Sequence, residues 1–175
     1  MIRSLILPAS VFVTVAVIAH MLTLSALPSV IMGRVFVVME ERGTPLHAFA
    51  LAPRATPQEQ NVVRMSPDVA YSVCRFDLSD GPVLVQGKAW LSYASLNVYD
   101  SETDNIVGID LGPEEPAVTG VVLRLRGNSM PTPDGVPVYE LNKAKGVALI
   151  RRLAPRDEDY ALVADAARGD VCRPL

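Results

Sequence analysis

The chain has 175 residues, half of them hydrophobic, with a formal net charge of −3. At a pI near 5.4 it has no basic field to attract nucleic acid, so that partner class is excluded. Mean hydropathy is +0.27, high for a soluble domain, and the excess is concentrated at one end. Residues 4–33 contain no Asp, Glu, Lys or Arg, and every acidic side chain lies at Glu40 or beyond.

The first predicted element is the apolar run bracketed by Pro8 and Pro28. A helix over residues 8–27 rises about 30 Å, the thickness of a bilayer's hydrocarbon. Proline is tolerated at a helix start, and one just past the end stops it. The rival reading is a signal peptide, whose apolar core is shorter, roughly 7–15 residues, and is followed by small residues. Here Leu27 stands where a small residue is wanted, so the run predicts an uncleaved anchor over residues 1–28. Arg3 before the run and the weak weight of acids in the positive-inside rule place the amino terminus in the cytoplasm. The rest of the chain then lies in the periplasm, outside the inner membrane.

Within the run, Ala16, His20 and Thr23 fall near one helix face, since neighbours at i+3 and i+4 share a side. A small residue with hydrogen-bonding side chains suits close approach of a second helix. A midplane imidazole is costly facing lipid. These three residues are the expected helix-packing site, with another transmembrane protein as partner beside the bilayer itself. The alternative is an imidazole bonded to its own helix backbone.

Residues 29–43 carry Ile31, Met32, Val35, Phe36, Val38 and Met39 at helical spacing and end at Gly43. They predict a short amphipathic helix, lying on the membrane surface or packed on the following domain. Residues 44–66 are broken by prolines and read as a linker with room for one short strand at "HAFAL". From residue 67 to 175 the period changes to two. "YSVCRFDL", "VLVQGKA", "WLSYASLNVY", "IVGIDL", "AVTGVVLRLRG", "VPVYEL" and "GVALIRRLA" alternate and are separated by Gly, Pro and Asp turns. That spacing predicts a mainly β fold, a sandwich-like or barrel domain. "SDGP" reads as a hairpin turn, with Gly81 free to take positive φ. "RDEDYALVADAARG" predicts a short terminal helix with acids in its first turn.

Cys74 and Cys172 are the only cysteines. An even pair in an oxidising compartment predicts a disulfide; two unrelated buried thiols are the alternative. With two histidines in all, no multi-imidazole metal site can form outside the membrane. No nucleophile elbow, zinc-protease pair, phosphate loop or dinucleotide fingerprint is present. Asp100, Glu102 and Asp104 alternate like calcium-loop ligands, but Asn105 and Leu111 stand where that loop needs Gly and Glu, so a solvated turn is expected. Trp90 and Tyr93 differ by an odd number, which puts them on opposite faces and leaves one aromatic at the surface. Asp68, Asp77 and Asp110 are the candidates for paired carboxylates. No catalytic residue, cofactor or metal is expected.

"SPDVAYSVCRFDLSDGPVLVQ" resembles the domain of unknown function 1254 family, through Pro67, Asp68, Tyr71, Ser72, Asp77, Leu78, Ser79, Asp80, Gly81 and Pro82. "HMLT", "CRFDLS", "KGVALIRRLAP" and the late Cys172 are similar to its short, membrane-anchored proteobacterial branch. Ser66 departs from the Asn usual at that turn. The resemblance implies a β-rich extracytoplasmic domain and supplies no reaction. The sequence therefore predicts a membrane-anchored, non-catalytic accessory protein working through contacts with an inner-membrane complex. The alternative is an envelope carbohydrate- or lipid-binding or processing protein using carboxylates of the β domain.

Overall fold

The structure, a computed structural model, describes residues 2–56 and 65–175, with side chains from residue 6. It opens with one unbroken helix, α1 (Ile2–Glu41), with Pro8 and Pro28 both inside it. The expected stop at Pro28 does not occur, and the segments expected to be an anchor and a separate amphipathic helix form a single rod. An internal proline removes one backbone bond. Breaking an apolar helix would orphan several more, and here the nearby hydroxyls turn back onto the helix itself. Thr23 Oγ1 donates to the Ala19 carbonyl at 2.9 Å and Ser25 Oγ to that of Met21 at 3.0 Å. Toward the helix end Met32 is buried and Phe36 and Met39 are half-buried, whereas Ile31 stays exposed. The covered face is thus narrower than the sequence pattern implied.

Beyond α1 the described chain is mostly β. The strands are β1 (Ala50–Leu51), β2 (Val69–Asp77), β3 (Val83–Lys88), β4 (Ala94–Asp100), β5 (Asn105–Asp110), β6 (Val118–Leu125), β7 (Val138–Leu141), β8 (Lys145–Leu153) and β9 (Val171–Pro174). Helix α2 (Asp157–Ala167) lies between the last two. One sheet has the order β1-β2-β8-β4-β5 and the other β7-β6-β3-β9. In β2 every second residue is buried, which is the period-two pattern of a strand with one face on a core. Phe76, Leu96, Val98 and Ile150 from the first sheet share one core with Val83, Val85, Val121 and Leu123 from the second. Gly146 makes close packing possible: a Cβ there would come within 2.2 Å of the Phe76 ring.

Three features differ from the sequence reading. The "SDGP" turn is not a hairpin. Gly81 does take positive φ (155°), but β2 pairs with β1 and β8 while β3 pairs with β6 and β9. The turn therefore carries the chain from one sheet to the other. Identical turn chemistry serves both geometries, so the residues alone do not distinguish them. Second, the last residues form strand β9 on the edge of the second sheet, too short and proline-containing to show alternation. Third, β7 runs parallel to β6, reached by residues 126–137, a connection long enough for a parallel crossover. The linker is also more ordered than expected. Leu46 bridges to Arg75, β1 adds to β2, and Arg54 ion-pairs with Asp157 at the start of α2. Residues 57–64 of that linker lie outside the described part.

A disulfide and a buried ion-pair cluster join the sheets. Cys74 of β2 and Cys172 of β9 form a disulfide with Cα atoms 6.5 Å apart and a sequence separation of 98. Arg152 of β8, fully buried, makes a two-pronged ion pair with Asp170 (2.7 and 2.8 Å) and donates to the Lys88 carbonyl at 3.0 Å. Asp170 Oδ1 also accepts the Lys88 amide at 3.1 Å.

Replacing both cysteines by alanine should lower unfolding stability by roughly 2–4 kcal/mol, because the bridge closes a long loop in the unfolded chain. Denaturant titration of the native protein and the variant measures this. Arg152→Leu should cost about 3–5 kcal/mol by stranding the Asp170 carboxylate in the interior. An exposed control such as Arg168→Leu should stay within about 0.5 kcal/mol.

Candidate functional site

Two parts of the domain bring functional groups together, both on the outer face of the five-stranded sheet. The first is where α1 meets the domain. Arg75 donates from Nε and Nη2 to the Thr44 carbonyl (3.1 and 2.9 Å) and lies 3.6 Å from Glu40 in the last turn of α1. His47, held at positive φ, receives the Asp77 amide on Nε2 at 3.0 Å. Asp77 Oδ1 accepts the Ser79 amide and hydroxyl (3.0 and 2.6 Å), and Lys145 lies 3.8 Å away. Burial works to raise the Asp77 pKa, but the Ser79 hydroxyl and amide and the charge of Lys145 outweigh it, holding the carboxyl below its ordinary range. This cluster clasps the helix end to β2.

The second part is a cleft of about 260 Å³ near the other end of the same face. Successive outward residues of β4 and the residue before it form one wall. Tyr93 OH lies 3.2 Å from Ser95 Oγ, which accepts from Asn97 Nδ2 at 3.1 Å. Across β8, Arg151 pairs in register with Ser95, and across β5 Asp110 pairs with the same residue. At about 4.8 Å per strand, cation and carboxylate stand on the order of 10 Å apart. Arg151 Nη2 donates to Tyr99 OH at 2.9 Å, and its buried Nε has no partner. Asp110 Oδ1 accepts the Gly112 amide at 2.8 Å. Gly108, opposite Asn97, leaves the floor open.

Each sequence-derived candidate now has a place. Cys74 and Cys172 are bridged, so neither is a thiolate nucleophile. Among the described residues no group of three His, Cys, Asp or Glu side chains could hold a metal ion. Asp100 is buried, and its Oδ1 accepts the Glu102 and Asp104 amides (2.7 and 3.1 Å), which closes the β4–β5 hairpin turn. Asp77 and Asp110 lie at opposite ends of the sheet, since their register partners on β8 are Lys145 and, through Ser95, Arg151. Six residues along a strand is about 20 Å, beyond the roughly 5–9.5 Å used in glycoside cleavage. Asp68 precedes β2, three strands from β5 in the sheet order, about 14 Å across. These carboxylates are not paired for hydrolysis. Trp90 is 8% exposed and Tyr93 55%, the opposition expected from their spacing. Ala16 and His20 line a groove on α1 together with Phe12, Val13, Val17 and Met21.

The cleft residues Ser95, Asn97, Gly108 and Arg151 escaped the sequence reading. The available signal was strand alternation in "ALIRRLA", which puts Arg151 and Arg152 on opposite faces.

The profile described as "Protein of unknown function (DUF1254)" matches residues 46–174. No curated protein matches. Among solved structures, the VPA0106 protein from Vibrio parahaemolyticus superposes with a TM-score of 0.65 at 16% identity, covering 85% of this chain and 35% of that one. An uncharacterised protein from Burkholderia cenocepacia gives a TM-score of 0.46 at 14% identity, covering 82% and 39%. The chain thus spans little more than a third of the length of these structural neighbours.

A carboxyl whose folded-state pKa is depressed stabilises the protein above its unfolded value, near 3.9, and loses that contribution as pH falls through the folded value. Asp77→Asn should therefore be less stable than the native protein at pH 7, and the gap should close below about pH 4. Denaturation midpoints at pH 7, 5 and 3 measure it.

Proposed function

The chain belongs to the DUF1254 family, and from that premise we propose that it is a single-pass accessory protein of the inner membrane. Its amino terminus is cytoplasmic, its β domain is periplasmic, and it works by contact with another transmembrane protein. The observation that carries this reading is His20. It sits inside a helix whose residues Ile6–Glu41 include an 18-residue window of mean hydropathy 2.0, none of it buried in the rest of the chain. Among the described residues His20 has no hydrogen-bond partner, so the alternative of a bond to its own backbone finds no support. In hydrocarbon an imidazole facing lipid is costly, which favours a polar partner on a second helix.

Two further features agree with the arrangement. The helix continues past Leu27 without interruption, as an uncleaved anchor would. Its 40 residues rise about 60 Å, so roughly half crosses a bilayer and the remainder reaches the Arg75 clasp. A disulfide in the domain fits an oxidising compartment.

Ala16→Leu and His20→Leu each alter the groove face without shortening the span. Purified from native membranes in mild detergent, both variants should lose most of the partner that co-purifies with the native chain. Full retention by both would overturn the reading.

A further inference from the structure

We infer that the cleft on the outer face of the five-stranded sheet is a saccharide-binding site, sized for one sugar ring of a glycan. Pockets for drug-sized ligands run roughly 300–1,000 Å³, and at about 260 Å³ this one suits a single ring. A pyranose has an apolar face of C–H groups and an edge of hydroxyls, and the cleft has a counterpart for each. Tyr93, 55% exposed, offers an aromatic face at the rim. Its hydroxyl is tied to Ser95, so the ring is oriented before any ligand arrives. Ser95, Asn97, Asp110 and Arg151 supply donors and acceptors of mixed type, the set needed to bind hydroxyls, which both give and accept hydrogen bonds.

The charges narrow the choice. One cation and one carboxylate face the cleft from opposite sides, so it carries no net charge and does not favour a polyanion. Asp110 keeps Oδ2 free after Oδ1 takes the Gly112 amide. Arg151 spends Nη2 on Tyr99, which holds the guanidinium in place with Nη1 still available. Gly108 leaves room over the floor for a flat ring.

Position agrees with this role. Arg75, which grips the end of α1, and Tyr71, which is Arg151's register partner, are four residues apart on β2. The cleft therefore opens about 13 Å along the sheet from the helix clasp, clear of the anchor.

The test uses the full chain in a zwitterionic detergent without sugar headgroups. Maltotriose and chitotriose, both uncharged, serve as probes, with saturation-transfer NMR as the readout. At least one should bind saturably, with Kd on the order of 0.1–1 mM for so shallow a site. Gly108→Val is the discriminating variant. The added Cβ meets only Asn97 Oδ1, at an ordinary 3.5 Å, and valine suits a strand, so the fold should hold while the floor fills. Binding should fall at least ten-fold in Gly108→Val and about three- to ten-fold in Tyr93→Ala. Should Gly108→Val lower the thermal midpoint, Asp110→Asn replaces it, since the amide oxygen can still accept from Gly112. No saturable binding of any probe to the native chain would overturn the inference, as would undiminished binding in the well-folded variants.

Discussion

The buried pair of Arg152 and Asp170 is the contact on which the rest of the domain depends. Arg152 sits near the end of β8, the central strand of the first sheet, on its inner face. Its register partners on either side are Ala70 and Ala94, both fully or almost fully buried. Two small residues leave space for a guanidinium that a leucine or valine would have filled. A buried cation is tolerable only if it is paired and hydrogen-bonded. Asp170 and the Lys88 carbonyl meet that demand at both Nη atoms, leaving Nε without a partner. Asp170 leads into the edge strand β9 and Lys88 ends its neighbour β3, so the ion pair sets how the sheets face each other.

The chain's last strand is held by this constraint and by the disulfide together. β9 contributes only four residues to the second sheet, too few to be stable as an isolated edge. Asp170 fixes its entry and Cys172 its middle. Cys74 lies four residues from Ala70 on the same inner face of β2, so both ties come from one side of one sheet. α2 fits between them: Tyr160 donates to the Ala52 carbonyl and Val163 joins the core. Arg54 draws the linker onto the same region. Among the described residues no element covers the cleft end of the first sheet's outer face, while Arg75 and His47 hold α1 at the other.

Much of this could be read from the residues. The apolar run, the alternating strands and the acid-led terminal helix follow from local periods and turn chemistry, and the motif "CRFDLSDGPV" carries the resemblance to the DUF1254 family. The odd spacing of Trp90 and Tyr93 sufficed to put one inside and one outside. Local signals were ambiguous where two geometries share one chemistry. "SDGP" can close a hairpin or turn a corner between sheets. Pro28 can end a helix or sit within one. "VCRP" is too short to show a period, and its place in the sheet comes from partners more than eighty residues away in β3.

The dipeptide Arg151-Arg152 shows where sequence stops and tertiary structure takes over. Strand alternation alone determines that the two side chains point to opposite faces. It does not determine which face is core, because a shift of one residue in register would exchange them. That is decided by the partners: Ala70, Ala94 and Asp170 receive one guanidinium, and the other bonds to Tyr99 beside Ser95. By itself the sequence determined an apolar helix, a period-two domain and a pair of cysteines able to bridge. Tertiary structure alone decided that one arginine joins the two sheets while its neighbour faces an open cleft. The physical reason is that burying a charge is favourable only where distant parts of the chain supply its counter-charge, and no local pattern records that meeting.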